Sequence, residues 1–454
     1  MGTICRNGYL ISAENSDQVK KELTVRPVLN AVGIPAPSFK VWRKVSGSGN
    51  SILVPRYYGG DKWGPAAHDS RGACASADGI VFTGHLREET RQNESLAAGV
   101  AAFRNTGGGV LSLPCGFGKT TVALALSAQL KVRTMIVVHK EFLADQWAER
   151  IREFCPGATI GRVQGPVFDL DGKDFVIALI QTMSMREFPK DAFDSIGLLV
   201  VDEAHHIGAP AFSQFMFKIC PKYTLGLTAT PERKDGLTRL LYWFLGPEFF
   251  RIERTDQRTT KVVTIDYTDE AFQEAPPVSR FGKINMAGMI NILTELEPRN
   301  AVIMKTITEA LDMNRRVLVL TDRREHCFEL HRRLGSKAGL YIGGMKREDL
   351  EESAQKPVVV ATFHLANEGL DIPALDTVIL ATPKSDIVQS IGRIMRETKG
   401  KINDPLIFDI ADHWSVFFAM YRKRCAVYRR GGFEMASPPP EEKVEVFGKG
   451  RCLF

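Results

Sequence analysis

Four short runs in the first half of the chain, Met135–Val138, Phe175–Ile180, Leu198–Val201 and Tyr223–Leu227, are apolar at nearly every position. A strand with one wet face would alternate. Continuous apolarity marks strands covered on both faces, as in a parallel sheet enclosed by helices. Val110–Leu113 is a further strand, and Thr120–Lys131 and Glu141–Phe154 read as helices between strands. The second of these places Phe142, Leu143, Trp147 and Ile151 at helical spacing. A second series follows, with strands predicted at Arg316–Leu320, Leu340–Ile342, Val358–Thr362, Thr377–Ala381 and Leu406–Ile410. The fold class is therefore α/β, with two tandem lobes of parallel sheet flanked by helices, over 84–250 and 284–430. Residues 251–283 connect them, with a strand or two near Val262–Tyr267. Residues 1–83 are punctuated by Gly, Ser and Pro around β-prone pieces such as Phe39–Arg43 and Ser51–Val54, and are expected to form a small α+β accessory domain. Residues 431–454, with three consecutive prolines, read as a loosely held tail.

Composition narrows the function classes. With 44% hydrophobic and 25% charged residues, the 454-residue chain is of globular type and not a disordered or low-complexity one. The formal charge of +6 is too small to define a nucleic-acid partner and fits one if the charge is clustered. No run approaches the roughly 18 apolar residues of a membrane span, and the first 21 residues lack a signal-type apolar stretch. The eight cysteines form no CxxC pair, so neither a zinc site nor a disulfide framework is expected. An intracellular, soluble protein without a membrane partner is predicted.

Leu113-Pro114-Cys115-Gly116-Phe117-Gly118-Lys119-Thr120-Thr121 sits between a predicted strand and a predicted helix. Glycines there let the backbone turn sharply and aim N–H groups at phosphate oxygens, and the helix start adds its dipole. Lys119 can reach the β- and γ-phosphates, and Thr120 can place a hydroxyl on Mg²⁺. The strict phosphate-loop pattern has a glycine where this chain has Leu113. Val200-Val201-Asp202-Glu203-Ala204-His205-His206 supplies the complementary acids at the end of another apolar strand. Asp202 can hold the metal and Glu203 can polarise an attacking water. A zinc reading of His205 and His206 lacks further ligands nearby, so Mg²⁺ is the one metal expected. In the second lobe, Gln389-Ser390-Ile391-Gly392-Arg393-Ile394-Met395-Arg396 begins a helix. Arg393 and Arg396, three apart, share one face and can neutralise charge on a transferred phosphoryl group.

These segments, in this order, resemble the superfamily-2 helicases. Pro114–Thr120 is similar to motif I, Asp202–His205 to the DEAH of motif II, and Thr228-Ala229-Thr230 to motif III. His139–Trp147 resembles motif Ia, Gln181-Thr182 motif Ib, and Val319–Arg323 motif IV. Ala361-Thr362 through Glu368-Gly369-Leu370-Asp371 resembles motif V, and Gln389–Arg396 motif VI. The likeness covers about 84–430. GLTATPERKDGL at 226–237 is similar to the XPB-like and UvsW-like branch of DNA translocases, and Lys21–Val25, Phe39–Val41 and Val54–Gly59 resemble helicases of nucleocytoplasmic large DNA viruses.

The resemblance implies two RecA-like lobes and ATP with Mg²⁺ as cofactors. Nucleotide contacts would come from Pro114 to Thr121, Gly369, Asp371 and Gln389, with Gln92 reading the adenine after Leu86-Arg87. It also implies coupling roles for His205, Thr228 and Thr230. A nucleic-acid strand would be held by its phosphates at Thr182, Thr321 and Thr362, with His139 and Lys140 near. DNA is the expected substrate, with RNA the alternative because these motifs grip backbone. Duplex tracking without strand separation is a second alternative. Partners among replication, repair or transcription proteins would follow, in a host cytoplasm, nucleus or virion if the protein is viral. Finally, Tyr421–Arg424 through Tyr428–Arg430 mixes cations with aromatics, which fits either an extension of the nucleic-acid track or a solvated helix face.

Overall fold

The computed structural model describes residues 2–12, 16–27, 37–45, 51–114, 116–204, 209–229, 236–252, 260–280, 282, 284–370, 372–394 and 403–436. The chain divides into two compact units, Met1–Glu253 and Arg254–Phe454.

The main sheet of the first unit has eight strands: β1 Gly108–Ser112, β2 Thr134–Val138, β3 Ile160–Gln164, β4 Val167–Phe168, β5 Phe175–Leu179, β6 Leu198–Val201, β7 Tyr223–Thr228 and β8 Glu248–Arg251. They lie in the order β4-β3-β5-β2-β6-β7-β1-β8. All neighbours are parallel except β4, which returns antiparallel to β3. β1, β2 and β6 are buried at every position, as doubly covered strands must be. The helix Lys119–Leu130, buried from Val122 to Ser127, and the helix Glu141–Phe154, burying Ala144, Trp147 and Ile151, supply part of that cover. Register decides where loops arrive. Val201 is level with Val137 and Gly226, and Thr228 with Ser112. The segments after β6, β7 and β1 therefore leave one edge of the sheet side by side.

The N-terminal residues form a small five-stranded sheet from Thr3–Cys5, Gly8–Ile11, Arg43–Lys44, Ile52–Val54 and His68–Asp69. It is fastened to the eight-stranded sheet. The Tyr57 hydroxyl lies 2.7 Å from Thr224 Oγ1, Arg56 donates to the carbonyls of Pro221 and Lys222, and Tyr58 meets Trp243 edge-on at 5.3 Å. Tyr9, Val19 and Leu23 share a core with Met135, Leu199 and Phe244.

The second unit holds seven parallel strands: β9 Lys261–Tyr267, β10 Val317–Thr321, β11 Ala338–Tyr341, β12 Val358–Thr362, β13 Thr377–Leu380, β14 Leu406–Asp412 and β15 Glu434–Met435. Their order is β11-β12-β10-β13-β14-β9-β15. β9, from the stretch expected to connect the lobes, pairs over its whole length with β14. β15, within the expected tail, pairs with Lys261 and Val262.

β14 is buried throughout although it carries Asp409 and Asp412. Buried carboxylates need buried cations. Arg299 makes two bonds to Asp412, at 2.7 and 2.9 Å, and donates to the Ala381 carbonyl. Arg424 grips Asp409, whose Oδ2 also accepts from the Tyr428 hydroxyl at 2.7 Å. This corrects the reading of the basic-aromatic run. Tyr421, Arg424 and Tyr428 belong to the core, because the helix Val416–Arg430 turns them onto β14. Arg422, Lys423, Arg429 and Arg430 stay on its exposed side.

A neutral chain of bonds crosses the same unit. His326 Nδ1 lies 2.9 Å from Thr321 Oγ1, and Nε2 lies 2.9 Å from Asn300 Oδ1. Burial, then the charge of Arg299, holds the His326 imidazole down to about 3. The unfolded chain takes up that proton near 6.5 and the folded chain does not. Stability from this residue is therefore whole above 6.5 and declines as pH falls toward 3. At about 1.4 kcal/mol per unit, about 2 kcal/mol is gone at pH 5. His326→Gln, which cannot titrate, is expected to shrink the difference in urea midpoint between pH 7 and pH 5. Equal differences in wild type and variant would refute the assignment.

Candidate active site

The phosphate loop follows β1. Gly116 and Gly118 adopt φ of 86° and 84°, left-handed geometry that favours glycine. A Cβ on Gly118 would lie 2.3 Å from Gln92 Nε2, so a side chain there would displace the Gln92 amide from the Phe117 carbonyl. Lys119 opens the helix Lys119–Leu130, with Thr120 and Thr121 half-buried in its first turn. Lys119 Nζ pairs with Glu203 Oε1 at 3.2 Å and lies 3.4 Å from the Leu113 carbonyl.

Asp202 and Glu203 follow β6, two strands over from β1, with β7 between. Asp202 is buried and tied down on both carboxylate oxygens. Oδ1 accepts from the Glu203 N–H at 2.9 Å, and Oδ2 accepts from the Trp147 indole N–H at 2.8 Å. Burial, then the neighbouring Glu203 charge, pushes its carboxyl up to about 6; Trp147 and Lys119 oppose that shift. Glu203 sits at φ 44°, a left-handed conformation that a non-glycine residue adopts at a cost of order 1 kcal/mol or more. Trp147 is the residue that sequence reasoning missed. Its place in a helical apolar stripe explains its burial and gives no hint of the carboxylate at its far side.

Gln92 does not present a free amide to a base. It is buried, with Oε1 accepting from the Arg87 N–H and Nε2 donating to the Phe117 carbonyl, each at 2.9 Å. Arg87 adds a bond to the Gly116 carbonyl at 2.9 Å. Arg87 and Gln92, from the stretch expected to read adenine, thus brace the phosphate loop.

Thr228 ends β7 fully buried, and its carbonyl accepts from the Leu113 N–H at 3.0 Å, so it links the strand between the two catalytic loops to the phosphate loop. Thr182, half-buried on the helix Ile180–Met185, accepts from the Gly165 N–H at 2.9 Å. Thr362, half-buried, ends β12. Thr321 is a correction: its side chain is fully buried and its hydroxyl is spent on His326, so it has no surface to offer a phosphate. In the second unit Gly369 closes the helix Phe363–Gly369, and Gln389 and Arg393 lie on the helix Val388–Ile394. Cys115, His205, Thr230, Asp371 and Arg396 lie outside the described residues.

Comparison with known proteins agrees with this arrangement. Residues 85–233 match the family described as type III restriction enzyme, res subunit, and residues 300–398 match the helicase conserved C-terminal domain. Protein L396 of Acanthamoeba polyphaga mimivirus, named as an ATP-dependent RNA helicase, is 32% identical over 90% of this chain and 81% of its own length. D10 of Escherichia phage T5, named as a helicase, is 26% identical over 73% of this chain and 74% of its own. Among solved structures, the type ISP restriction-modification enzyme LlaBIII shares the fold, with a TM-score of 0.54 at 18% identity over 77% of this chain and 30% of that one. The chain belongs to the superfamily-2 helicases, and it is similar to those of large DNA viruses. Membership makes it a helicase-type, nucleic-acid-dependent ATPase. Among the described residues no helix is long and apolar enough to cross a membrane.

The site fits a magnesium nucleotide. Two carboxylates meet at a buried edge beside Lys119, one of them raised first by burial and then by its neighbour's charge, and that donor set suits a divalent cation. Magnesium bound with a nucleotide takes one or two protein ligands, so no dense ligand cluster is required. Thr120 and Asp202 would hold it. Trp147→Phe keeps the ring and deletes one donor to Asp202. That bond lowers the Asp202 pKa, so without it the carboxyl keeps its proton to higher pH, and the Mg²⁺ concentration for half-maximal nucleotide binding near pH 6 should rise. An unchanged Mg²⁺ requirement would remove Trp147 from the site.

Proposed function

We propose that the protein is a DNA helicase or translocase driven by ATP hydrolysis. The observation that carries this reading is the Lys119–Glu203 ion pair beside Asp202, formed where a phosphate loop and a strand-end acid pair leave the same sheet edge. Lys119 exchanges Glu203 for the β- and γ-phosphates when ATP enters, and the freed Glu203 then orients the attacking water. Magnesium, when bound, neutralises phosphate charge and opens the γ-phosphoryl group to attack. Arg393 and Arg396 stabilise charge on the transferred group, while Gly369, Asp371 and Gln389 contact the nucleotide. His205, Thr228 and Thr230 pass the loss of the γ-phosphate to the strand-gripping residues, among them Thr182 and Thr362.

DNA is favoured by the first-lobe family, whose description is that of a restriction-enzyme subunit. RNA is the second reading, since the mimivirus relative is named as an RNA helicase. Phosphate release titrated with single-stranded DNA, duplex, forked DNA and RNA separates them, and strand displacement on the fork distinguishes unwinding from tracking. Stimulation by RNA alone would overturn the DNA assignment.

Glu203→Gln should still bind ATP and hydrolyse it about 10²–10⁴-fold more slowly. Lys119→Ala should abolish turnover, and retained ATPase would remove the site itself. Arg396→Ala should keep nucleic-acid binding and lose about 10³-fold or more of stimulated hydrolysis. Normal stimulated turnover in that variant would exclude the arginine from the chemistry.

A further inference from the structure

The helix Val416–Arg430 carries Arg422, Lys423, Arg424, Arg429 and Arg430 and contains no Asp or Glu. Arg424 is spent inside the fold on Asp409. The other four are exposed, and at 100° per residue they fall, with the exposed Ala419 and Ala426, within about a third of the helix circumference. Among the described residues, no carboxylate pairs with Lys423, Arg429 or Arg430. Other exposed helices are arranged differently. Arg150 meets Glu153 on its own helix, Arg332 and Arg333 meet Glu329, and Lys356 meets Glu352. Those cations are matched locally; Lys423, Arg429 and Arg430 are not.

The stripe is held in place from behind. Arg424 donates to the Lys384 carbonyl at 2.8 Å as well as to Asp409, which also accepts from the Tyr428 hydroxyl at 2.7 Å. The Tyr421 hydroxyl lies 3.1 Å from Thr264 Oγ1 on β9. These three buried side chains key the helix to β14 and β9, so its exposed face cannot roll. What that face lacks decides its ligand. A stable protein interface centres on aromatic or apolar anchors, and an unpaired base needs a ring to stack on. Between these cations stand only alanines, because Phe417, Tyr421 and Tyr428 are all turned into the core. A polyanionic backbone needs no such anchor. Lys423 and Arg430 are seven residues apart, about 10 Å along the axis. A duplex presents one negative charge per about 1.7 Å of its length, twice the density of a single strand.

We propose that Lys423, Arg429 and Arg430 bind the phosphate backbone of duplex DNA. The proposal rests on the nucleic-acid reading above and adds a duplex contact outside the helicase motifs. Anisotropy of a fluorescein-labelled duplex, titrated with the nucleotide-free full-length protein across a salt series, tests it. The triple variant Lys423→Gln, Arg429→Gln, Arg430→Gln should shallow the slope of log affinity against log salt by about 3, at about 0.9 per phosphate contact. Each single substitution should take away about 1. Lys423→Arg with Arg429→Lys and Arg430→Lys keeps the charge and should keep the wild-type slope. The change should be the same on duplexes of unrelated sequence. All three side chains are exposed, so the substitutions leave the buried pairs intact. A triple variant with the wild-type slope would refute the proposal and leave the helicase reading standing. A loss confined to single-stranded DNA or to RNA would remove duplex DNA as the occupant. Should the wild type bind no nucleic acid, both readings fall.

Discussion

Among the described residues, the Lys119 ammonium is the cation that pairs with one of two adjacent carboxylates at the end of an apolar sheet. Burial first, and the neighbouring Glu203 charge second, push the Asp202 carboxyl up to about 6. Lys119 answers Glu203, and the Trp147 N–H answers Asp202. Both answers depend on the parallel register. Only because Val201, Thr228 and Ser112 end adjacent strands on one side can the β1 loop reach the acids that follow β6. Fold and site are in this sense one constraint: a shift of a strand would part the lysine from its glutamate.

The ion pair also says what kind of site this is. On the proposed mechanism Lys119 would serve two partners in turn, the carboxylate it holds here and the phosphate oxygens of a triphosphate. Glu203 would likewise alternate between the lysine and the attacking water. The left-handed backbone at Glu203 fits a residue whose side-chain position is fixed by need, since ordinary turn geometry would not choose it. Gln92 and Arg87 hold the carbonyls of Phe117 and Gly116 from behind, so the loop keeps its shape while the charges in front of it are exchanged.

Much of this was legible in the chain. Doubly buried strands announce themselves by continuous apolarity, and Leu198–Val201 and Val358–Thr362 fall where that pattern puts them. The phosphate loop and the acid pair were legible because their chemistry demands particular residue types. What escaped were residues with two readings. Trp147 reads as core and is core, but one polar atom at its edge decides its use. Thr321 matches a motif, yet its hydroxyl is claimed by His326 five residues on. β9 was expected as a strand near Val262–Tyr267, but within a connection between lobes; that it lies alongside β14 over its full length could not be read from Lys261–Tyr267, which mixes Thr, Asp and Lys among its apolar residues.

The basic run at 421–430 shows how such a misreading could have been avoided. Its meaning is set by residues elsewhere, in the strand Leu406–Asp412, where two aspartates interrupt an otherwise apolar sequence. An acid inside a doubly covered strand cannot stay charged alone, and removing one member of a buried pair costs about 3–5 kcal/mol. Two buried acids therefore require two cations from outside the strand, and Arg299 and Arg424 are those cations. Once Arg424 is spent on Asp409, helical spacing takes Tyr421 and Tyr428 inward with it, three before and four after. The charges left on the exposed face are those of Arg422, Lys423, Arg429 and Arg430. The count of apolar-strand acids thus subtracts from a basic cluster before any of it is assigned to nucleic acid.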